Sequence, residues 1–285
     1  MRRLLLLAVP LSTLALTVTG TGGGATTVSC SKGVLTTVSA KKLTFGTDNP
    51  AYPPWFGGKP KGSWKTSDPF SGKGFESAVA YAVAKQLGFS HSDVSWKYVP
   101  FAKSFAPGRK SFDIDINEIS FTPQRAKVVD FSDSYYDVSQ AVVVNKGTKI
   151  ASAHTVASLR GFKLGVQIGT TSYNAIVNQI KPSSKPAVYD TNDKAVFALK
   201  TKQIDALVVD LPTAFYVTSV QVPNSKILGQ LPTKPGGEHF GMVLQKGSAL
   251  TPCVNRALTT LKANGTLKKI QTTWLSKVVG VPVLK

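Results

Sequence analysis

Short apolar runs rich in β-branched residues alternate with helical segments along most of this chain of 285 residues. A strand at 42–47 precedes a helix at 74–87, and the rhythm resumes with a strand at 162–167 and a helix at 170–180. Such alternation builds a largely parallel sheet with ligand sites at the carboxyl ends of its strands. The sequence therefore predicts an α/β fold. The other predicted strands are 94–99, 112–116, 141–144, 187–189, 205–209 and 240–244, and the other helices are 193–201, one from 212, 251–263 and 266–278.

Residues 1–25 have the composition of a secretory signal peptide. A basic head at 1–3 precedes an apolar run at 4–18, and small residues follow. The apolar run is short for a membrane span, so an uncleaved anchor is the weaker alternative. We expect cleavage near Ala25, residues 26–40 as an N-terminal linker, and an exported protein of the cell envelope, periplasm or extracellular space.

Two cysteines, Cys30 and Cys253, lie far apart in the sequence. An even pair of cysteines in an exported protein favours a disulfide bond. Lipid attachment at Cys30 is the alternative, since small residues precede it. However, the apolar run ends well before Cys30, and lipidation would leave Cys253 unpaired, so we predict the disulfide.

The chain is strongly basic, with 34 Lys and Arg against 15 Asp and Glu and a formal net charge of +19. Such a charge attracts anions, and nucleic acid is the usual partner to consider. The lysines are scattered rather than gathered in one arm, and an exported chain rarely meets nucleic acid. We therefore expect no nucleic-acid partner and interpret the lysines as a solvated surface suited to an acidic cell envelope.

The stretch 116–125 combines the groups that capture a small anion. An apolar run leads to Ser120, a helix start follows at Thr122-Pro123, and Arg125 stands just inside that helix. A hydroxyl, free backbone N–H groups and a guanidinium can bind one carboxylate together. This pattern predicts a carboxylate-binding site.

Five motifs in order resemble the polar amino-acid-binding proteins of bacterial ABC importers, the extracellular solute-binding family 3. They are Gly74-Phe75-Glu76, the stretch 116–136, Gly165–Thr171, Ile204–Asp210, and Asn264-Gly265-Thr266 before Trp274-Leu275. The resemblance implies a two-lobed periplasmic-binding-protein-like (type II) fold with two crossover strands. It places the first lobe at 41–137 and 236–285 and the second at 138–235, closing on an amino acid.

The resemblance also implies roles for individual residues. Arg125 would bind the ligand α-carboxylate, with Ser120 adding its hydroxyl and N–H group. Thr170 and Thr171 would offer N–H groups to the same carboxylate, and Asp210 would bind the α-ammonium. The alternatives are a surface arginine for Arg125 and helix capping for Thr170, Thr171 and Asp210.

Selectivity for the ligand side chain is expected from the first lobe, through Asp48, Tyr52, Phe101 and Glu118. Aromatic faces such as Tyr52 and Phe101 can hold an aliphatic or cationic side chain, although core packing is the alternative for Phe101. Glu118 stands where the family usually has a small residue. A carboxylate there, beside Asp48, favours a cation such as lysine, arginine or ornithine. If Glu118 turns to solvent or pairs with a lysine, glutamine or another polar neutral ligand becomes competitive.

The resemblance implies delivery of the amino acid to an ABC importer permease by a monomer that needs no cofactor or metal. Two rival functions stay open. The same architecture serves dehydratase-like enzymes, for which Glu118 is the one plausible general acid, although the three histidines lie outside every motif. A basic envelope protein that binds anionic polymers is the other rival, with salt-sensitive binding. We expect a binding protein without catalytic residues.

Overall fold

The computed structural model describes residues 29–233, 236–276 and 280–285. The predicted signal peptide at 1–25 and the first residues of the linker lie outside these ranges. The strands are β1 (Leu43–Thr47), β2 (Val94–Tyr98), β3 (Ile114–Asp115), β4 (Val129–Phe131), β5 (Tyr136–Asp137), β6 (Gln140–Asn145), β7 (Leu164–Gln167), β8 (Ala187–Tyr189), β9 (Ala206–Asp210), β10 (Ser225–Gln230), β11 (His239–Phe240) and β12 (Val243–Gln245). The helices are α1 (Phe75–Gln86), α2 (Phe101–Ser104), α3 (Pro123–Ala126), α4 (Thr171–Ala175), α5 (Asn192–Lys200), α6 (Leu211–Tyr216), α7 (Thr251–Ala263) and α8 (Thr266–Leu275).

The first lobe is built on a five-stranded sheet with the order β2-β1-β3-β12-β4. β1 pairs in parallel with β2 and β3, whereas β12 returns antiparallel between β3 and β4. Every residue of β1 is buried, because helices and loops cover both faces of the sheet. α1, α7 and α8 contribute apolar faces to this core, which also encloses Trp55.

The second lobe is built on a sheet with the order β10-β6-β9-β7-β8. β7 pairs in parallel with β8 and β9, as the strand–helix rhythm predicts. β6 is antiparallel to both β9 and β10, so the sheet is mixed rather than largely parallel. β6 follows β5 of the crossover between the lobes, and no helix lies between these two strands.

The lobes are joined by a ribbon of two antiparallel strands, β5 and β11, in which Asp137 pairs with His239 and Tyr136 with Phe240. We call these strands the crossover ribbon. They carry the chain out of the first lobe before β6 and back into it after β10. This arrangement confirms the predicted two-lobed α/β architecture with two crossover strands.

Several elements differ from the sequence prediction. The strand expected at 240–244 is divided into β11 and β12, with Gly241 and Met242 between them, and a Cβ atom at Gly241 would lie 2.9 Å from the Phe131 ring. The helix expected at 170–180 changes after α4 into a π-helical turn, Ile176–Ile180. β4, β5 and β10 were not predicted, because each is short or has no clear alternation.

The last residues return to the second lobe, although they were expected in the first with the rest of 236–285. The Leu284 side chain is buried in the second core, and its N–H donates to the Gln230 carbonyl at 2.9 Å. The Gln230 N–H donates to the Pro282 carbonyl at 2.8 Å. We retain the boundaries after 137 and 235 as a proposal.

The chain start is fastened to the first lobe by a disulfide bond between Cys30 and Cys253 on α7. This confirms the predicted pairing, and it engages the thiol that lipid attachment at Cys30 would require. In the described ranges no helix is both long and apolar enough to cross a membrane.

Candidate functional site

A cavity of about 350 Å³ lies between the lobes, where the carboxyl ends of β1, β7 and β9 face one another. Its charged lining consists of Asp48, Lys65, Glu118, Asp193 and Asp210. Its uncharged lining includes Tyr52, Phe101, Asn117, Thr170, Thr171 and Thr213. Four carboxyl groups against one ammonium make this a cavity suited to a cation.

Arg125 is buried on the first turn of α3, which Thr122 caps by accepting from the Arg125 N–H at 3.1 Å. Its guanidinium donates to the Ser120 carbonyl at 2.6 Å and to the Gly169 carbonyl of the second lobe at 2.8 Å. The guanidinium also stacks on the Phe105 ring, 4.0 Å from its centroid. Burial lowers the pKa of Arg125 to about 10, while the nearby Glu238 carboxylate opposes that shift.

Ser120 and Thr171 face each other across the lobes, with their hydroxyl oxygens 3.2 Å apart. Both hydroxyls donate to one oxygen of Glu238, a residue that the sequence reasoning did not identify. We call Ser120, Thr171 and the Arg125 guanidinium beside them the anion cradle. The structure thus brings together the residues predicted to bind a carboxylate, and a carboxylate of the chain itself lies there.

Asp210 ends β9 and accepts a 2.6 Å hydrogen bond from the Gln140 side chain. The same Gln140 amide also donates to Glu238 at 2.9 Å. Burial, with the charge of Glu238 as a second cause, raises the pKa of Asp210 well above its usual value. Asp210 precedes α6 without capping it by a side-chain hydrogen bond, so its carboxyl group stays directed to the cavity wall.

Glu118 adopts a left-handed backbone conformation with φ of 52°, which is uncommon for a residue with a Cβ atom. Its N–H donates at 2.6 Å to Glu76, and its carboxylate accepts at 2.6 Å from the Thr213 hydroxyl of the second lobe. Burial, reinforced by the charges of Glu76 and Asp210, raises the pKa of Glu118 well above its usual value. Glu118 therefore faces the cavity and the second lobe, not solvent.

The loop after β1 brings Asp48 and Tyr52 to the cavity. The Tyr52 hydroxyl donates to Asp193 of the second lobe, and its ring lies 5.8 Å from that of Tyr216. Burial raises the pKa of Asp48. Phe101 lines the cavity and also contacts the Phe105 ring edge-on, at 5.3 Å, so it serves packing and cavity together.

Thr170 is the N-cap of α4, since its hydroxyl accepts from the Tyr173 N–H at 3.3 Å. The alternative role considered for Thr170, helix capping, is thus correct for its side chain, although Thr170 also lines the cavity. Ser120 and Arg125 are not part of the cavity lining, whereas Thr171 of the anion cradle is. The predicted residues therefore form two adjoining groups, the anion cradle and the acidic cavity.

Four contributors escaped the sequence reasoning: Gln140, Asp193, Thr213 and Glu238. Each comes from the second lobe or from a crossover segment, and no local motif marks it. The one available signal was Glu238 itself, one of three glutamates in a basic chain, placed just before two aromatic residues in Gly-Gly-Glu-His-Phe. Within the described part of the chain, no group of three His, Cys, Asp or Glu side chains could hold a metal ion.

Comparisons with known proteins agree with this geometry. A glutamine-binding protein of an ABC transporter from Bacillus subtilis is 30% identical over 216 residues, which are 74% of this chain and 76% of that protein. An arginine-binding protein of an ABC transporter from Escherichia coli is 30% identical over 70% of this chain and 81% of its own.

Solved structures give the same picture. An ancestral arginine-binding protein bound to glutamine superposes with a TM-score of 0.68 at 32% identity, covering 82% of this chain and 97% of that one. An ancestral amino acid-binding protein described as a precursor of cyclohexadienyl dehydratase has a TM-score of 0.65 at 28% identity, covering 82% and 95%. The fold is thus that of type II periplasmic binding proteins. The profile of one family, the bacterial extracellular solute-binding proteins, family 3, matches residues 43–277, and this chain belongs to that family.

Proposed function

We propose that this protein captures a cationic amino acid outside the cytoplasm and delivers it to the membrane permease of an ABC importer. The observation that carries the proposal is the acidic cavity beside the anion cradle. Such a pair of sites matches a molecule with a carboxylate at one end and positive charge at the other. The relatives named for arginine and glutamine support a ligand of this size.

In the proposed complex the ligand α-carboxylate lies in the anion cradle. The Arg125 guanidinium is already held in place by two carbonyls and an aromatic ring, so little side-chain entropy is lost when it binds an anion. Asp210 is the partner for the α-ammonium group. Its raised pKa reflects burial that only a cationic partner or a proton offsets.

The ligand side chain extends into the acidic cavity toward Asp48 and Glu118. An ammonium or guanidinium there offsets the repulsion among these carboxylates, which a neutral amide does far less. Tyr52 and Phe101 provide aromatic walls for the aliphatic part of such a side chain. This arrangement favours arginine, lysine or ornithine over glutamine.

Binding and release require the lobes to separate and close around the crossover ribbon. Contacts that join the lobes are present around the cavity: Tyr52 with Asp193, Trp55 and Glu118 with Thr213, and Arg125 with the Gly169 carbonyl. A ligand favours closure only through contacts made in the closed form. The closed form is the one we propose to dock on the permease, as a monomer.

Isothermal titration calorimetry with L-arginine, L-lysine, L-ornithine and L-glutamine tests this proposal. We expect the cationic ligands to bind more tightly than glutamine, and the Arg125→Ala variant to lose binding. Arg109→Ala is the matched control, since Arg109 is exposed on a loop of the same lobe. Absence of binding by every amino acid, or equal binding by Arg125→Ala, would overturn the proposal.

A dehydratase-like activity is the second candidate, favoured by the raised pKa of Glu118 and by the ancestral neighbour that preceded a dehydratase. We propose that the chain acts without turnover, because its family is one of solute-binding proteins and the relatives named for glutamine and arginine are binding proteins. Formation of product from prephenate or arogenate by the purified protein would reverse this choice. An anionic-polymer binder would instead show salt-sensitive polymer binding and no amino-acid affinity.

A further inference from the structure

Glu238 connects three parts of the molecule through one carboxylate. One of its oxygens accepts from Ser120 of the first lobe and Thr171 of the second. The other accepts from the Gln140 amide at 2.9 Å, at the start of β6. Glu238 itself directly precedes β11 of the crossover ribbon, where its carbonyl accepts from the Val138 N–H at 3.0 Å.

The anion cradle can hold one carboxylate at a time. Each hydroxyl has a single proton to donate, and both protons are directed to Glu238. A second carboxylate at the same place would also be repelled by the charge of the first. Glu238 and the α-carboxylate of an amino acid therefore compete for the same donors.

The Glu238 side chain has a route out of the cradle. It is half-buried and borders an outer groove of about 340 Å³, which shares only Thr171 with the main cavity lining. The exposed amides of Asn178 and Gln179 also line this groove and can donate to a carboxylate. Gly236, with φ of 66°, and Gly237 precede Glu238, and glycines allow the backbone to follow such a movement.

We propose that Glu238 is a tethered carboxylate that fills the anion cradle before an amino acid binds, joins the two lobes there, and leaves for the outer groove when the ligand α-carboxylate takes its place. This inference rests on the proposed function. It makes Glu238 a specificity-determining residue, because an amine without a carboxylate can enter the acidic cavity without displacing it. Glu238 therefore opposes the binding of amino acids but not of amines.

Other roles for Glu238 predict a different effect of its removal on ligand affinity. If Glu238 bound the ligand ammonium group together with Asp210, its removal would weaken the binding of amino acid and amine alike. If it only stabilised the crossover ribbon, its removal would change ligand affinity for both in the same direction. The comparison of two ligands that differ by one carboxylate separates these roles.

The test is calorimetry of L-arginine and of agmatine, its decarboxylated form, with the wild-type protein, Glu238→Gln and Glu238→Ala. We expect arginine to bind at least about tenfold more tightly to the variants, while agmatine gains no affinity. Asp137→Asn is the matched control, since it removes one exposed negative charge from β5 and leaves the cradle intact. Weaker or unchanged arginine binding in both variants would overturn the proposal, and Glu238→Gln carries the test if the alanine variant fails to fold.

A second measurement needs no ligand. Small-angle X-ray scattering of the protein without amino acid should give a larger radius of gyration for Glu238→Ala than for the wild type and Asp137→Asn, because the lobes lose their shared carboxylate. Equal radii would refute the tethered role. If no amino acid binds any form of the protein, the proposed function fails, and the scattering result alone decides the role of Glu238.

Discussion

The Thr213 hydroxyl of the second lobe donates a 2.6 Å hydrogen bond to the Glu118 carboxylate of the first lobe. The Thr213 hydroxyl oxygen also accepts from the indole N–H of Trp55 at 3.0 Å. One hydroxyl on the first turn of α6 thus satisfies two polar groups of the opposite lobe. These bonds exist only while the lobes are together, so Thr213 stabilises the closed form.

Replacing Thr213 with valine should weaken amino-acid binding about tenfold, because the closed form loses hydrogen bonds worth about 1–1.5 kcal/mol. Calorimetry measures the change. Thr218→Val is the matched control, since the Thr218 hydroxyl donates only to carbonyls of its own helix, at 3.0 Å for Ala214. Equal ligand affinity in Thr213→Val and wild type would show that this contact does not support closure.

Arg125→Lys should bind amino acids roughly 10- to 150-fold more weakly, although the positive charge is retained. A lysine cannot hold the Ser120 and Gly169 carbonyls while also presenting a planar fork, and each lost charge-assisted bond costs about 1.5–3 kcal/mol. Equilibrium titration with arginine checks this, with the exposed Arg109→Lys as reference. Full affinity in Arg125→Lys would mean that charge alone holds the ligand.

Binding of a cationic amino acid should release protons. Burial raises the pKa of both Glu118 and Asp210, so each keeps its proton to higher pH than an exposed carboxyl group does, and an arriving cation favours the ionised form. Calorimetry in two buffers of different ionisation enthalpy gives the number of protons released, and affinity should rise with pH. Glu118→Gln should release fewer, whereas proton uptake by the wild type would contradict the prediction.

The protein should lose stability as pH rises from mildly acidic to neutral values. Burial raises the pKa of Glu76 from 4.5 to about 7, so the folded state binds its proton more tightly than the unfolded state does. The resulting stabilisation is complete below the unfolded pKa and is lost as pH rises through the folded one, by about 1.4 kcal/mol for each unit between them.

Urea unfolding at about pH 5 and about pH 8 measures this loss. Glu76→Gln should reduce it. Tyr135→Phe should increase it, because the Tyr135 hydroxyl donates to Glu76 and holds its pKa down. Greater stability at the higher pH in the wild-type protein would indicate that paired carboxylates dominate instead.

Some elements and motifs of the first lobe were predictable from the sequence for physical reasons. β1 and α1 have clear periodicity, and a Thr-Pro helix start placed Arg125 correctly beside Ser120. These signals are local, since capping, alternation and turn chemistry act within a few residues.

The site residues that could not be predicted from the sequence depend on contacts between distant segments. Glu238 reaches the cradle only because β11 pairs with β5, and no property of its neighbours encodes that pairing. The same holds for Thr213, whose role arises from Glu118 on the facing lobe. A pattern within one segment does not identify a contact with a residue about a hundred positions away. The acidic residues of the site were therefore predicted only in part.

The position of Leu284 restricts the range of motion of the two lobes. Leu275 is buried in the first core and Leu284 in the second, nine residue-to-residue steps further along the chain. A fully extended chain spans at most about 3.5 Å per residue, so the anchors cannot separate by more than about 32 Å. The extended chain from Ser276 to Gly280 spans at most about 14 Å. At this edge the chain end acts as a third connection that limits how far the lobes can part.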